Sequence, residues 1–228
     1  MSHGQTYIQA LALGLDREWR RLPDADRHDD GCRFAEVLEG SQLDDVRTIS
    51  YSSVGLEPGV DVLLWRMSPS VEALESTAAA LLRSGLGRWL SVEHSLIGRI
   101  GPSQYVRTPT EQEQSVFGGE RSRYLVVYPF TKSTDWYLLS KEARQGVMNE
   151  HMRVGHHYPT VRQALAYSFG LDSQDFVVAY ETDDLVAFGD LVRELRGTES
   201  RRSTVSDTPI LLGIHRPIDE ILSLLGEP

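Results

Sequence analysis

Tyr51-Ser-Ser-Val-Gly-Leu56, followed by the apolar run Val60-Asp-Val-Leu-Leu-Trp65, has a counterpart later in the chain. Tyr167-Ser-Phe-Gly-Leu171 is followed there by Phe176-Val-Val-Ala-Tyr180. Each pair reads as two strands around a turn, Gly55-Leu-Glu-Pro-Gly59 in the first copy and Gly170-Leu-Asp-Ser-Gln-Asp175 in the second. A motif repeated within one chain implies a duplicated structural unit.

Working outward from the first hairpin, whose strands span 46–54 and 60–66, residues 6–15 alternate as a strand. Helical patterning begins at 16–22, is interrupted by the turn formers of 23–31, and resumes over 33–38. Ser68-Pro-Ser-Val opens a helix through Leu82 with Leu74, Ala78 and Leu81 on one face, and 91–100 supply a closing strand. The second hairpin, 161–169 with 176–181, has the same surroundings. Residues 124–130 form a strand, and Ser140 caps a helix ending near Gly155. Asp184 starts a helix with Leu185, Phe188, Leu191, Val192 and Leu195 inward. Residues 209–214 are expected to close this half, with a short helix over 218–225. Each half reads β-α-β-β-α-β. The fold class expected is α+β, two ferredoxin-like units in tandem, of the dimeric α+β barrel type. Residues 1–107 form the N-terminal domain, 108–122 a Gly-, Pro-, Ser-, Thr- and Gln-rich linker, and 123–228 the C-terminal domain.

The 228 residues carry 23 Lys and Arg against 33 Asp and Glu, a net charge of −10, which argues against a broad nucleic-acid surface. Cys32 stands alone, so an intrachain disulfide framework is ruled out and a reducing compartment is expected. The apolar run 7–15 lacks a basic flank and does not read as a signal peptide, and no stretch suits membrane insertion. A cytoplasmic location is the expectation.

Several polar residues near the second hairpin stand out. His151 follows Ala143 and Val147 at i, i+4, i+8, on the apolar stripe of its helix. It reads as a hydrogen-bonded core residue or as an axial metal or haem ligand. His156 and His157, with Glu150, fit no common zinc spacing. Tyr128 precedes Pro129 at a strand end, Lys132 lies in the polar loop before Trp136-Tyr137, and Gln163 is an amide in an apolar strand. Packing, solvation and chemistry all remain open for these residues taken singly. Phosphate loops, G-x-S-x-G and CxxC are absent from the sequence.

Taken together, Tyr128-Pro-Phe-Thr-Lys132, Trp136-Tyr-Leu-Leu139, Glu150-His151, the strand around Gln163 leading to Gly170-Leu-Asp172, and Leu195-Arg196 resemble the chlorite dismutase-like superfamily, and within it the coproheme decarboxylases. The resemblance covers residues 122–214. It implies a haem-type iron held by His151 as axial ligand in the second domain of a homopentamer. It also implies that the porphyrin is coproheme III or haem b. The reaction implied is conversion of two propionates of coproheme to vinyl groups with hydrogen peroxide, giving haem b. On this analogy Tyr128 is oxidised and abstracts hydrogen from a propionate, Lys132 positions and protonates groups there, and Gln163 hydrogen-bonds the distal ligand. Trp136 lies against the porphyrin, and Arg107 and Arg196 take the propionate-binding positions, Arg107 only with a shift in alignment. Chlorite-decomposing members carry an arginine where this chain has Gln163. A chlorite-decomposing or peroxidase-like enzyme and a non-catalytic haem-binding protein are the alternatives.

Overall fold

The computed structural model describes residues 6–41, 45–105 and 119–228. The chain divides into two compact units, Met1–Ile100 with Leu211–Pro228, and Gly101–Ile210. Both are mixtures of helices and antiparallel strands.

In the first unit, the alternating residues at the start form β1 (Thr6–Leu15). After a 3-10 turn, α1 (Asp24–Gly40) runs unbroken through the stretch expected to interrupt it. Pro23 stands at the N-cap, where the N–H it lacks is not required, and Asp24 and Asp26 lie in the first turn at the positive end of the helix dipole. Asp30 is not a turn former either. It is buried and accepts from Trp19 Nε1 at 3.3 Å, Trp89 Nε1 at 3.1 Å and Arg88 Nη2 at 2.8 Å. The turn-like composition of 23–31 thus reflects tertiary partners.

β2 (Arg47–Glu57) continues past the expected end at 54, because Gly55, at φ 71°, sits in a register irregularity between Ser52 and Glu57. The chain reverses at Pro58-Gly59 into β3 (Val60–Ser68). α2 (Val71–Arg83) is capped by Ser70 Oγ, which accepts from the Ala73 N–H at 3.1 Å, and β4 (Leu90–Ile100) follows. The strands order as β4-β1-β3-β2, all antiparallel.

The second unit holds β5 (Tyr124–Lys132), the short α3 (Thr134–Leu138), α4 (Lys141–His156), β6 (Arg162–Tyr167), β7 (Phe176–Thr182), α5 (Leu185–Arg196) and β8 (Thr204–Ser206). Ser140 Oγ caps α4 through the Ala143 N–H at 3.2 Å, and the Asp184 carboxylate caps α5 through the Val186 and Ala187 N–H groups. The order β6-β7-β5 repeats β2-β3-β1 of the first unit, and the three-residue β8 pairs with the end of β5 at Thr131 and Lys132.

The strand expected at 209–214 is present and groups with the first unit. β9 (Leu211–His215) pairs with β2, Tyr51 opposite His215 and Ser52 opposite Ile214. Ser50 Oγ and Ser53 Oγ donate to the carbonyls of Arg216 and Leu212, each at 2.7 Å. Gly213 makes the approach possible, since a Cβ there would lie 2.7 Å from Tyr51 Cβ. α6 (Ile218–Leu225) then buries Ile218, Ile221, Leu222 and Leu225 among Leu11, Leu13, Phe34 and Leu38. Each such side chain contributes about 1.5–3 kcal/mol. That burial, with the pairing to β2, holds the last segment on the first unit.

Candidate active site

Cross-strand register puts the polar candidates of the second unit on one sheet face. Gln163 of β6 lies opposite Tyr180 of β7, and Tyr128 of β5 opposite Val178. Opposed residues share a face and alternate residues return to it. Tyr128, Phe130, Gln163, Phe176, Val178 and Tyr180 therefore face one way. Val154 of α4 and Ala187, Phe188, Leu191 and Leu195 of α5 pack over that face with Tyr128, Phe130, Val178 and Tyr180. The opposite face holds the fully buried carboxylate of Glu181, paired with Arg121 at 3.1 Å and Arg162 at 2.9 Å.

The rings of Tyr128 and Tyr180 stack with centroids 6.1 Å apart, which sets their hydroxyls close enough to act on one another. Burial first, and then the neighbouring phenol, push the Tyr128 hydroxyl well above its ordinary pKa. It stays protonated across the working range. Arg196, exposed at the end of α5, acts on it in the opposite sense.

Lys132 is not in a loop but is the last residue of β5, and it is buried. Its Nζ donates to Ser200 O at 2.7 Å and Ser200 Oγ at 3.0 Å, and lies 4.6 Å from the ring centre of Trp136. Its backbone N–H donates to Asp175 Oδ2 at 2.7 Å. Burial, and then the positive field of Arg201, lower the ammonium pKa to about 8. Trp136 is buried at the first turns of α3, which Ser133 caps, with Tyr105 edge-on at 6.5 Å. Tyr137, more open, donates to the same Asp175 Oδ2 at 2.7 Å.

His151 lies one turn before Val154 on the inward stripe of α4. Its Nδ1 is buried without a hydrogen-bond partner. Burial, followed by the field of Lys132, lowers its pKa to about 4, so the imidazole is neutral at physiological pH and can ligate a metal. The neighbouring Glu150 is engaged elsewhere, accepting from the Glu199 N–H at 3.0 Å.

The structure therefore brings Tyr128 and Gln163 to one face and sets Lys132 against Trp136 within electrostatic reach of His151. Arg196 joins them through its field on Tyr128. Arg107 lies outside the described residues. Sequence reasoning missed Tyr180, Asp175 and Ser200. Alternation along β7 points to Tyr180 once the hairpin register is known; Asp175 and Ser200 carry no periodic signal.

A family model described as Chlorite dismutase matches residues 27–216. The chain belongs to the chlorite dismutase family. Among relatives, a coproheme decarboxylase of Mycolicibacterium smegmatis is 31% identical over 214 residues, covering 93% of this chain and 88% of that protein. A coproheme decarboxylase of Staphylococcus carnosus is 26% identical, covering 79% of each chain. A chlorite dismutase of Ideonella dechloratans is 25% identical over 78% of this chain and 65% of its own. Among solved structures, a mutant chlorite dismutase from Candidatus Nitrospira defluvii superposes with a TM-score of 0.88 at 30% identity, covering 97% of this chain and 95% of that one.

Two of these relatives are named for coproheme, and residues of the second unit could hold an iron porphyrin. α4 has no fully buried residue despite its inward stripe, so its inward side chains, His151 among them, stay only partly covered. Leu165, Tyr137 and Phe169 remain 44%, 37% and 49% exposed, an apolar surface that a porphyrin ring could cover. The orphaned Nδ1 belongs to a neutral imidazole, the form that binds iron. Lys132, Arg196 and Arg201 are positive charges in this region, of the sign that carboxylates would require.

Proposed function

We propose that this chain is a coproheme decarboxylase, converting two propionates of iron coproporphyrin III to vinyl groups with hydrogen peroxide and releasing haem b. The observation that carries this reading is the placing of Tyr128 and the neutral amide Gln163 on one sheet face, under the helix that bears His151. The similarity to coproheme decarboxylases over most of the chain supports it. So does the absence of a guanidinium at Gln163, because a neutral amide holds an anion such as chlorite less well. The shared strand order of the two units supports reading each as a ferredoxin-like repeat.

Each conversion consumes a propionate carboxylate, a hydrogen peroxide and a proton, and yields a vinyl group, carbon dioxide and two waters. The bound iron supplies the redox chemistry that activates peroxide. His151 is its protein ligand. Tyr128, oxidised with loss of its proton, would take a hydrogen atom from the propionate β-carbon; the carboxylate would then leave as carbon dioxide, giving the vinyl group, with its remaining electron passing to the second oxidising equivalent of the peroxide. Lys132, whose pKa of about 8 lets it release a proton near neutrality, is the source of the proton consumed. Gln163 hydrogen-bonds the peroxide, Trp136 packs beside the ring, and Arg196 holds a propionate by charge.

The test is to mix purified protein with iron coproporphyrin III and peroxide and to follow haem b by chromatography and mass. Full turnover by Tyr128→Phe would sink the radical role. Oxygen evolved from chlorite over many turnovers would favour a chlorite-decomposing enzyme. A Soret band lost in His151→Ala, with no conversion, would mark a haem-binding protein without this activity.

A further inference from the structure

We propose that His28, Cys32 and Glu227 form a divalent-metal site of the zinc class in the first unit. His28 and Cys32 stand four residues apart on α1 and so project from the same side of the helix. Cys32 Sγ lies 3.6 Å from His28 Nε2. A tetrahedral zinc ion bound to sulfur at about 2.3 Å and to nitrogen at about 2.0–2.1 Å spaces those donors by about 3.6 Å, so the pair is already set at the bite of the ion. The other ring nitrogen, Nδ1, lies 3.0 Å from Glu227 Oε1. With the proton on Nδ1, that nitrogen donates a hydrogen bond to the carboxylate, which leaves the Nε2 lone pair free for metal and fixes the ring plane, the usual outer-sphere arrangement of a zinc histidine.

The carboxylate is built into its place. The Glu227 side chain is only 11% exposed. It nests over Gly31, where an added Cβ would fall 2.5 Å from Oε2. A glycine inside a helix is destabilising relative to alanine, and here it admits the carboxylate. The segment beyond α6 is pinned beside the site, Arg20 donating to Leu225 O at 2.9 Å and Arg27 donating to Gly226 O. Thiolate and imidazole donors select zinc, or cobalt as its probe, over magnesium and calcium. Water completes the coordination at the exposed side of Cys32. None of these residues belongs to the site on β5–β7, so the two proposals stand or fall separately.

The test titrates cobalt(II) into the full-length, porphyrin-free, reduced protein. One equivalent should give a thiolate-to-cobalt charge-transfer band and visible bands of tetrahedral intensity, both lost on adding zinc. Cys32→Ser should abolish the charge-transfer band, and Glu227→Gln should weaken binding roughly 10-fold or more. His151→Ala should leave both signals unchanged. Zinc should also slow alkylation of Cys32. Absence of the charge-transfer band, equal cobalt affinity in Cys32→Ser, or alkylation indifferent to zinc would each overturn the proposal; the last would leave Cys32 and His28 as a metal-free thiol–imidazole pair.

Discussion

Tyr128 and Tyr180 stack on neighbouring antiparallel strands, 6.1 Å between ring centres, and each phenol acts on the titration of the other. Both phenols are held above their ordinary pKa, chiefly by burial. Tyr128 therefore gives up an electron only together with its proton, and the group beside that proton is another phenol. Tyr180→Phe removes the phenol group beside the Tyr128 hydroxyl while keeping the ring stack, and should cost about 1 kcal/mol in urea unfolding. Tyr128→Phe should cost about 1 kcal/mol or less while abolishing formation of haem b, which separates the structural role of the pair from its chemical one.

His151 gives a pH signature in the porphyrin-free protein. Its pKa falls from 6.5 to about 4 on folding, so between those values the unfolded chain holds the extra proton. Stability should fall as pH drops from 6.5 towards 4, by at most about 1.4 kcal/mol per pH unit, and level off below. His151→Leu should remove this slope from thermal melts. Iron-porphyrin binding in the wild type should hold to about pH 5 and fail near pH 4, since only neutral imidazole ligates.

Lys132 acts at the other end of the scale. Its pKa falls from 10.5 to about 8 on folding, so stability should rise with pH across that interval and stay lower beneath it. Lys132→Met should flatten the rise. It should also move the His151 pKa upward, readable by NMR, because the Lys132 field is the second cause of that depression. Turnover in the wild type should decline as pH passes 8, and Lys132→Met should lack that decline along with most of the activity.

Asp175 joins two parts of the site through one oxygen, accepting from both the Lys132 N–H and the Tyr137 hydroxyl. Asp175→Asn weakens two charge-assisted bonds at once and should cost about 1–3 kcal/mol by chemical denaturation. Tyr137 should then titrate closer to its ordinary value, since the Asp175 hydrogen bond and charge follow burial among the causes that raise it.

Gln163→Arg tests what the neutral amide contributes. A guanidinium on that face should tighten azide binding to the iron-loaded protein roughly 10-fold or more, the worth of a charge-assisted hydrogen bond. An unchanged azide affinity would mean that position 163 does not face the iron ligand.

The repeated hairpin and the regular alternation of β1 were legible because one side of each strand is apolar and the period follows. The Ala143–Val147–His151 stripe was legible for the same reason. Three features were hidden because they depend on partners distant in sequence. Asp30 and Gly31 looked like helix breakers until two indoles and a carboxylate were seen to require them. β9 was legible as a strand, but its pairing with β2 was not, because the partner lies more than 150 residues away. Lys132 looked solvated because no local pattern announces Ser200, 68 residues later, as the acceptor of its ammonium group. The family signature around Tyr128, Lys132, His151 and Gln163 carried the functional reading; periodicity alone could not separate those residues from a well-packed core.

α4 carries the proposed iron ligand yet has no fully buried residue. A helix anchored mainly along one partly filled stripe draws little stability from its own packing. Whatever fills that stripe becomes part of its core, so porphyrin capture and helix stability share one free energy and grow together with free ligand. The protein is then a natural gauge of its own supply: starved of porphyrin, it should present α4 to proteases and hydrogen exchange, and loaded, it should close that door. Cellular lifetime of the enzyme would in this way follow the flow of the compound it handles.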